Sequence, residues 1–390
     1  MTQEKTKEKL KIVTTPQDYG GVSWYRVKQF ARLANKKNLA YVSEVQAKYD
    51  DRLIEEMFAK CDVFHVRFLN EHIANMVRTF KRNYPEKLVV FETDDDIHNT
   101  NPLNSAYERF GTREVRLSDG KMLWEHGKGG LDIYRNRHRM VDYEYCLEQA
   151  DAIITTTMRL KSTLEKWNDN VVVIPNAIWF DYWPQLDINR KNKEEVRLVY
   201  TCSASHFEDL QMVKPAIDAL LKKYPQLKFI NVGQAFPYIT KDIPKDRLEI
   251  SPWIRCDGHG FRMACIDGDI GICPLVDNEF NANKSCLKWY EYSALGMATV
   301  ASNVPPYSDE IDDGNTGLLF RTPEEMVEKV SELIEDPIKR VDIGQKAREW
   351  VKRNRNAEEI VKDWVGFMEK AAKAKKGELD VDEPKIEVLK

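Results

Sequence analysis

Several things are missing from this 390-residue sequence, and each absence excludes a class of protein. No run of about 18 apolar residues occurs, so no integral membrane association is expected. The opening residues, Met1 to Leu10, are polar and lysine-rich and hold no apolar stretch of the secretory-signal kind. Seven cysteines are present, but the number is odd and no two stand in a C-x-x-C pair. That argues against a disulfide framework or a zinc ribbon, and the thiols read as reduced apolar residues of a cytoplasmic protein. Neither sign of charge dominates, since 59 Lys and Arg face 63 Asp and Glu for a net charge of −4. The basic excess of a protein that coats nucleic acid is therefore missing. No short-period repeat is visible, which excludes a solenoid.

What is there fits two or three globular domains by length. With 42% hydrophobic and 31% charged residues, the chain has enough apolar material for two cores. Short apolar runs at 11–14, 62–66, 88–91, 152–154 and 171–174 read as strands, with helical stretches such as Val22 to Leu33 between them. A charged run at 189–195 reads as a linker. The pattern then restarts: strands at 196–200, 227–232, 269–273 and 298–301 alternate with helices at 210–224 and 284–295. Alternation of this kind predicts an α/β protein of two Rossmann-like, doubly wound parallel halves. The expected division is 1–185, with a basic helical insertion at about 100–140, then 196–355, a helix over 356–376, and a tail at 377–390. That helix carries Ile360, Val361, Trp364, Val365 and Met368 at helical spacing.

The most informative stretch is the predicted helix over 284–295. Lys284, Lys288 and Glu291 stand at i, i+4 and i+7 on one face, beside an apolar stripe of Leu287, Tyr290 and Ala294. The asparagine-rich turn before it leaves backbone N–H groups unpaired. Such an end attracts phosphate, and Lys284 and Ser285 add charge and a hydroxyl. Glu291, a turn and a half deeper, could accept from the vicinal hydroxyls of a ribose. Phosphate followed by ribose describes a nucleoside diphosphate, whereas an amphipathic surface helix is the plainer alternative.

A second constellation is Glu92-Thr93-Asp94-Asp95-Asp96-Ile97-His98, just past a predicted strand, at the end where open α/β sheets bind ligands. Adjacent carboxylates repel, which points to a function or to a cation partner. Asp94, Asp95, Asp96 and His98 are candidate acid–base or hydroxyl-orienting groups. A D-x-D metal site and a solvated helix cap stay open beside that reading. Gly20-Gly21 after the first strand either lets a backbone approach a ligand closely or makes an ordinary turn. His206 lies in the loop after the strand at 196–200, and His65 reads as a core histidine. Segment 111–140 carries seven basic against four acidic side chains, with Trp124, His126, Tyr134 and His138 interleaved. It suits an anionic partner, nucleic acid included, or forms a solvated helix pair.

The ordered series Asp269 to Leu275, Phe280-Asn281 through Glu291-Tyr292-Ser293-Ala294-Leu295-Gly296, Val300-Ala301-Ser302, Pro306-Tyr307 and Gly314 to Leu319 resembles the donor half of family-4-type glycosyltransferases. Ser203 to Leu210 is similar to the opening of that half, and Ile174-Pro175-Asn176-Ala177-Ile178 to the close of the other. The resemblance implies a GT-B fold of two Rossmann-like domains facing a cleft, with the C-terminal helix crossing back to the N-terminal domain. It further implies a nucleotide-sugar donor, with the diphosphate held by Gly20, Gly21, Ser203, His206, Lys284, Ser285 and Lys288. Glu291 would hold the ribose, and Asn281 and Asn283 the sugar. The family often shows two glutamates separated by seven residues; here Asn283 stands where the first is expected, which leaves the sugar open. The implied reaction retains anomeric configuration and needs no divalent metal or other cofactor. The acceptor is a glycan, a small molecule, or a hydroxymethylated base in DNA, since the run from the acidic triplet through Asn136-Arg137 is loosely similar to phage-encoded transferases of the host cytoplasm. A non-catalytic binding protein on a degenerate GT-B fold is the alternative, motivated by Asn283.

Overall fold

The computed structural model describes residues 8–15, 18–46, 49–67, 70–116, 118–120, 131–187 and 194–378. Lys121, Trp124, Glu125, His126 and Lys128 of the basic segment, 189–193 of the expected linker, and the tail beyond 378 lie outside the described residues. The chain forms two compact units. Unit 1 comprises Met1–Asp94, His138–Asn176 and Ala357–Lys390, and unit 2 comprises Asp95–Arg137 and Ala177–Asn356. The acidic run is thus divided, and residues 95–137 group with unit 2.

Unit 1 is built on strands β1 (Lys11–Thr14), β2 (Tyr41–Glu44), β3 (Val63–Arg67), β4 (Leu88–Glu92), β5 (Ala152–Thr155) and β6 (Val171–Val173). They pair in the order β2-β1-β3-β4-β5-β6, and every pairing is parallel. The central strands are covered on both faces, so they read as continuous apolar runs. Phe58, Phe64 and Phe80 fill one side, with ring centroids 4.7–5.2 Å apart. Asp50, Asn70 and Thr157 cap helices by accepting from backbone N–H groups three residues on. The first helical stretch runs from Gly21 to Lys36, with a π-helical segment at Trp24–Lys28. Its Arg26 is fully buried against Glu92 at 2.6 Å, and Glu92 lies 3.3 Å from His65 Nε2. His65 is a core residue, as expected from its strand.

The helix Ala357–Lys375 packs on this N-terminal sheet, as the resemblance implied. Its Trp364 is buried 6.0 Å from Phe30 and edge-on to His65 at 5.4 Å. Lys37–Glu358 and Lys375–Asp151 ion pairs pin its two ends at 2.7 and 2.6 Å.

Unit 2 repeats the plan with β7 (Val196–Cys202), β8 (Leu227–Gly233), β9 (Leu248–Ser251), β10 (Ile270–Cys273), β11 (Ala298–Ser302) and β12 (Leu318–Phe320). The order is β12-β11-β10-β7-β8-β9, again parallel throughout. Strand order reverses between β7 and β10, and ligands of open α/β sheets bind beyond the carboxyl ends at such a point. The helix Leu287–Leu295 is seated over β10 because Gly271 carries no side chain: a Cβ there would lie 2.3 Å from the Tyr292 ring. Tyr292 then reaches the Thr201 backbone N–H, 2.8 Å away. Gly296, at φ +81, ends the helix in the left-handed conformation that favours glycine.

Candidate functional site

The loops after β7 and β10 meet at the switch point of unit 2. After β7 the chain makes a 3₁₀ turn at Ala204–His206 and enters the helix Phe207–Lys223. After β10, Asn278 caps a short helix, Glu279–Ala282, by accepting from the Asn281 N–H at 2.9 Å. A connection, 283–286, leads into Leu287–Leu295. The sequence predicted one helix from Lys284. The structure instead starts it at Leu287, so Lys284 and Ser285 precede the helix and only Lys288 and Glu291 share its face. The two asparagine-led turns draw the chain out of helical register before Cys286.

In that connection Lys284 Nζ lies 3.1 Å from Asp95 Oδ1 and 4.4 Å above the Phe280 ring. Asn283 is buried and its Nδ2 donates to Asp96 Oδ2 at 2.8 Å and to the Glu279 carbonyl at 3.2 Å. Asp96 Oδ2 also accepts from Asn99 at 2.8 Å. Lys284 is thus a cationic partner of Asp95. Among the described residues no three His, Cys, Asp or Glu side chains are grouped to hold a metal ion. Asn281 is buried too, and its amide donates to the Val276 carbonyl at 2.8 Å, which fixes the loop.

At the second residue of the helix, Lys288 Nζ lies 2.8 Å from His206 Nε2. His206 Nδ1 is 2.7 Å from Asp209 Oδ2, and Asp209 Oδ1 accepts from the Val276 N–H at 2.8 Å. Burial, ahead of repulsion from the Lys288 ammonium, pushes the His206 imidazolium down to about 4, so the ring is neutral at pH 7. Burial likewise lowers the Lys288 ammonium; Asp209 works against that, and nearby Lys284 adds to it. For Asp209, burial acts to raise the carboxyl, but the His206 hydrogen bond and the surrounding donors and charge hold it below its ordinary value. Glu291, 6% exposed, sits on the same helix face, with His259 Nε2 3.8 Å from its Oε2.

The remaining predicted residues lie as follows. Ser203 is exposed and its hydroxyl is 2.7 Å from that of Ser205. Gly20 and Gly21 stand in unit 1 beyond β1, where Gly20 precedes the first helical turn and its N–H bonds Asp18 at 2.9 Å. Asp94 closes the first stretch of unit 1, and His98 lies in a 3₁₀ turn, Ile97–Asn99, of unit 2. Sequence reasoning missed Asp209 and His259. The spacing of His206 and Asp209, three apart at a helix start, was the available signal for the first. Of the basic segment, Arg113, Arg116, Tyr134, Arg135 and Arg137 are exposed, while Asn136 is buried and ties the Glu108 and Gly111 carbonyls together. No described helix is long and apolar enough to cross a membrane.

Residues 284–350, which begin at this connection, match the family model described as Glycosyl transferases group 1. The fold is similar to that of sucrose-phosphate synthase from Thermosynechococcus elongatus, with TM-score 0.64 and 14% identity, covering 94% of this chain and 100% of that one. It is similar also to Anabaena HepE, solved in complex with UDP-glucose, with TM-score 0.61 and 13% identity over 93% of this chain and 100% of that one. A glycosyltransferase from Rickettsia africae matches with TM-score 0.59 and 12% identity, over 94% and 99% of the two chains. Two parallel six-stranded sheets with flanking helices give this chain the GT-B fold, and the segment that matches the group 1 glycosyl transferase model begins at the switch point of the second sheet.

Proposed function

We propose that the protein moves a sugar from a nucleoside-diphosphate sugar to an acceptor hydroxyl, and that the switch point of unit 2 holds the donor. The observation that carries this is the pair of lysines. Lys288 is anchored by a neutral imidazole rather than a carboxylate, and Lys284 is close enough to depress it further. Two ammonium groups held together ask for a polyanion between them. The diphosphate is read onto Lys284, Ser285, Lys288 and the backbone N–H groups that open the Leu287 helix, with Ser203 beside them. Glu291 takes the ribose, one turn deeper. Asn283, backed by Asp96, forms the floor for the sugar, and Asn281 shapes the loop around it. UDP is the first nucleotide to test, because HepE was solved with UDP-glucose.

No divalent metal is needed in this reading, because the lysines and the helix start take up the leaving-group charge. We read the transfer as retaining. The acceptor oxygen attacks the anomeric carbon from the face that the diphosphate leaves, the C1–O bond to phosphate breaks, and the acceptor proton passes to the departing phosphate oxygen. Asp95, next to Lys284, orients the acceptor hydroxyl, with Asp96 and His98 following it in unit 2. The Gly20-Gly21 turn is assigned to close approach of a ligand at the sheet of unit 1. For the acceptor, exposed Tyr134, Arg135 and Arg137 favour an anionic molecule over a neutral glycan or small alcohol, and a hydroxymethylated base in phage DNA is the macromolecular case.

Thermal stabilisation by UDP-, GDP-, ADP- and TDP-sugars tests the donor. One class should raise the Tm, and turnover should release the matching diphosphate. Binding without hydrolysis or transfer supports a non-catalytic binding protein instead, and no stabilisation by any of them refutes both. For the acceptor, retention on DNA that falls steeply between low and moderate salt supports the anionic reading; retention absent at low salt removes DNA.

A further inference from the structure

A buried lysine is ordinarily neutralised by a carboxylate. Lys288 is not. Its Nζ lies 2.8 Å from His206 Nε2, and the carboxylate of Asp209 stands one ring further off, 2.7 Å from Nδ1. An ammonium has only protons to give, so Nε2 must carry the lone pair and Nδ1 the hydrogen. That hydrogen needs an acceptor, which Asp209 Oδ2 supplies. Oδ1 is fixed in turn by the backbone N–H of Val276, 2.8 Å away. Asp209 is 3% exposed, so water does not replace these partners. Three hydrogen bonds in series therefore join the helix Phe207–Lys223, the segment after β10, and the helix Leu287–Leu295.

We propose that Asp209 is a positioning residue for the donor diphosphate: by fixing the tautomer of His206 it holds the Lys288 ammonium in place while leaving its charge unspent. The proposal rests on the diphosphate reading above. A direct ion pair between Asp209 and Lys288 would hold the ammonium equally well, but would neutralise it. With the imidazole between them the carboxylate is set back, and the bond that orients Lys288 is made to a neutral group. Both ring nitrogens of His206 are committed, so His206 acts on the phosphates through Lys288 and not by a ring N–H of its own. The titratable groups around Lys288 are Asp209, Cys273, Lys284, Cys202 and His206. Lys284 adds a second positive charge on the same side of the balance.

Asparagine at 209 separates the two roles of the carboxylate. Its oxygen must face the Val276 N–H, which can only donate, so its NH₂ faces His206 Nδ1. The ring hydrogen is then driven to Nε2, where it opposes the Lys288 protons.

The test uses the full chain. Long-range ¹H–¹⁵N NMR reads the His206 tautomer without any ligand, and calorimetry with UDP, GDP, ADP and dTDP reads diphosphate affinity. Wild type should show Nδ1–H and Asp209→Asn should show Nε2–H. The same variant should bind the best of the four diphosphates about 10- to 100-fold more weakly. Its binding should also fail at a lower alkaline pH, because the carboxylate that supports the ammonium is gone. Asp209→Glu, which keeps a carboxylate, should return the Nδ1–H tautomer and part of the affinity. His206→Gln can accept from Lys288 through its amide oxygen while donating to Asp209, and should lose less than His206→Ala. An Nε2–H tautomer in the wild type overturns the proposal whatever binds. So does a folded Asp209→Asn with a switched tautomer but unchanged affinity and alkaline limit. If Lys288→Ala binds like the wild type, or none of the four diphosphates binds, the donor reading fails and the proposal falls with it; the tautomer, read without ligand, tells those failures apart.

Discussion

Replacing Asn283 by aspartate changes one NH₂ group into an oxygen and should make unit 2 sensitive to pH. Asn283 and Asp96 are 5% and 2% exposed, and the amide donates to Asp96 Oδ2 at 2.8 Å. A carboxylate at 283 would face Asp96 at that distance. If both stayed ionised, the repulsion would be about 6 kcal/mol at an effective dielectric of 20. Taking up one proton is cheaper. An acid of ordinary pKa near 4 costs about 1.4 kcal/mol per pH unit above it, hence about 4 kcal/mol at pH 7 and about 1.4 at pH 5. The shared proton then restores a hydrogen bond between the two groups. The sign follows from proton counting. The folded variant holds a proton that the unfolded chain has released, so its stability falls as pH rises and the deficit closes near pH 4. Urea unfolding of Asn283→Asp at pH 5, 6 and 7, against wild type and Asn283→Ala, measures this. The alanine variant loses the charged hydrogen bond to Asp96 and the one to the Glu279 carbonyl but adds no charge, so its deficit of about 1.5–3 kcal/mol should not vary with pH in the same range. An Asn283→Asp deficit that is flat from pH 5 to 7, or absent at pH 7, would refute the buried contact.

Three further outcomes are expected. Lys284→Ala should weaken nucleoside-diphosphate binding by about tenfold or more, the scale of one charge-assisted hydrogen bond; unchanged affinity in calorimetry refutes its place at the diphosphate. Glu291→Ala should weaken UDP much more than inorganic pyrophosphate, and equal losses would remove its ribose role. Trp364→Ala should destabilise unit 1 by about 3–5 kcal/mol in urea unfolding, since the ring is fully buried between Phe30 and His65. A loss below about 1 kcal/mol would show that the C-terminal helix is not part of that core.

How much of this was legible in the sequence depended on burial. The central strands β3, β4, β7, β8 and β10 are covered on both faces, so they appear as unbroken apolar runs and were found. The strands that escaped notice, β2, β9 and β12, are all at sheet edges. Tyr41–Glu44 and Leu248–Ser251 are largely half-buried or exposed, and Leu318–Phe320 is too short to stand out. Helix starts were misplaced for a related reason. Lys284, Lys288 and Glu291 keep helical spacing in the sequence, but Asn283 bonds Asp96, almost two hundred residues earlier. That contact, with Lys284 on Asp95, favours an irregular connection that local pattern cannot reveal.

The same long-range pairing gives a physical reason for the departure at Asn283. Where the resemblance led us to expect a glutamate, Asp96 already supplies a buried carboxylate, and a second would meet it at hydrogen-bond distance. An amide meets Asp96 as a donor instead, so the acid at this place is contributed by the 94–96 run and not by the 283 position. The lysines follow the same logic. Lys284 is paired with a half-exposed carboxylate that solvent screens, and Lys288 with a neutral ring. Neither ammonium is buried in a direct ion pair, which is the condition that the proposed diphosphate site sets for both charges.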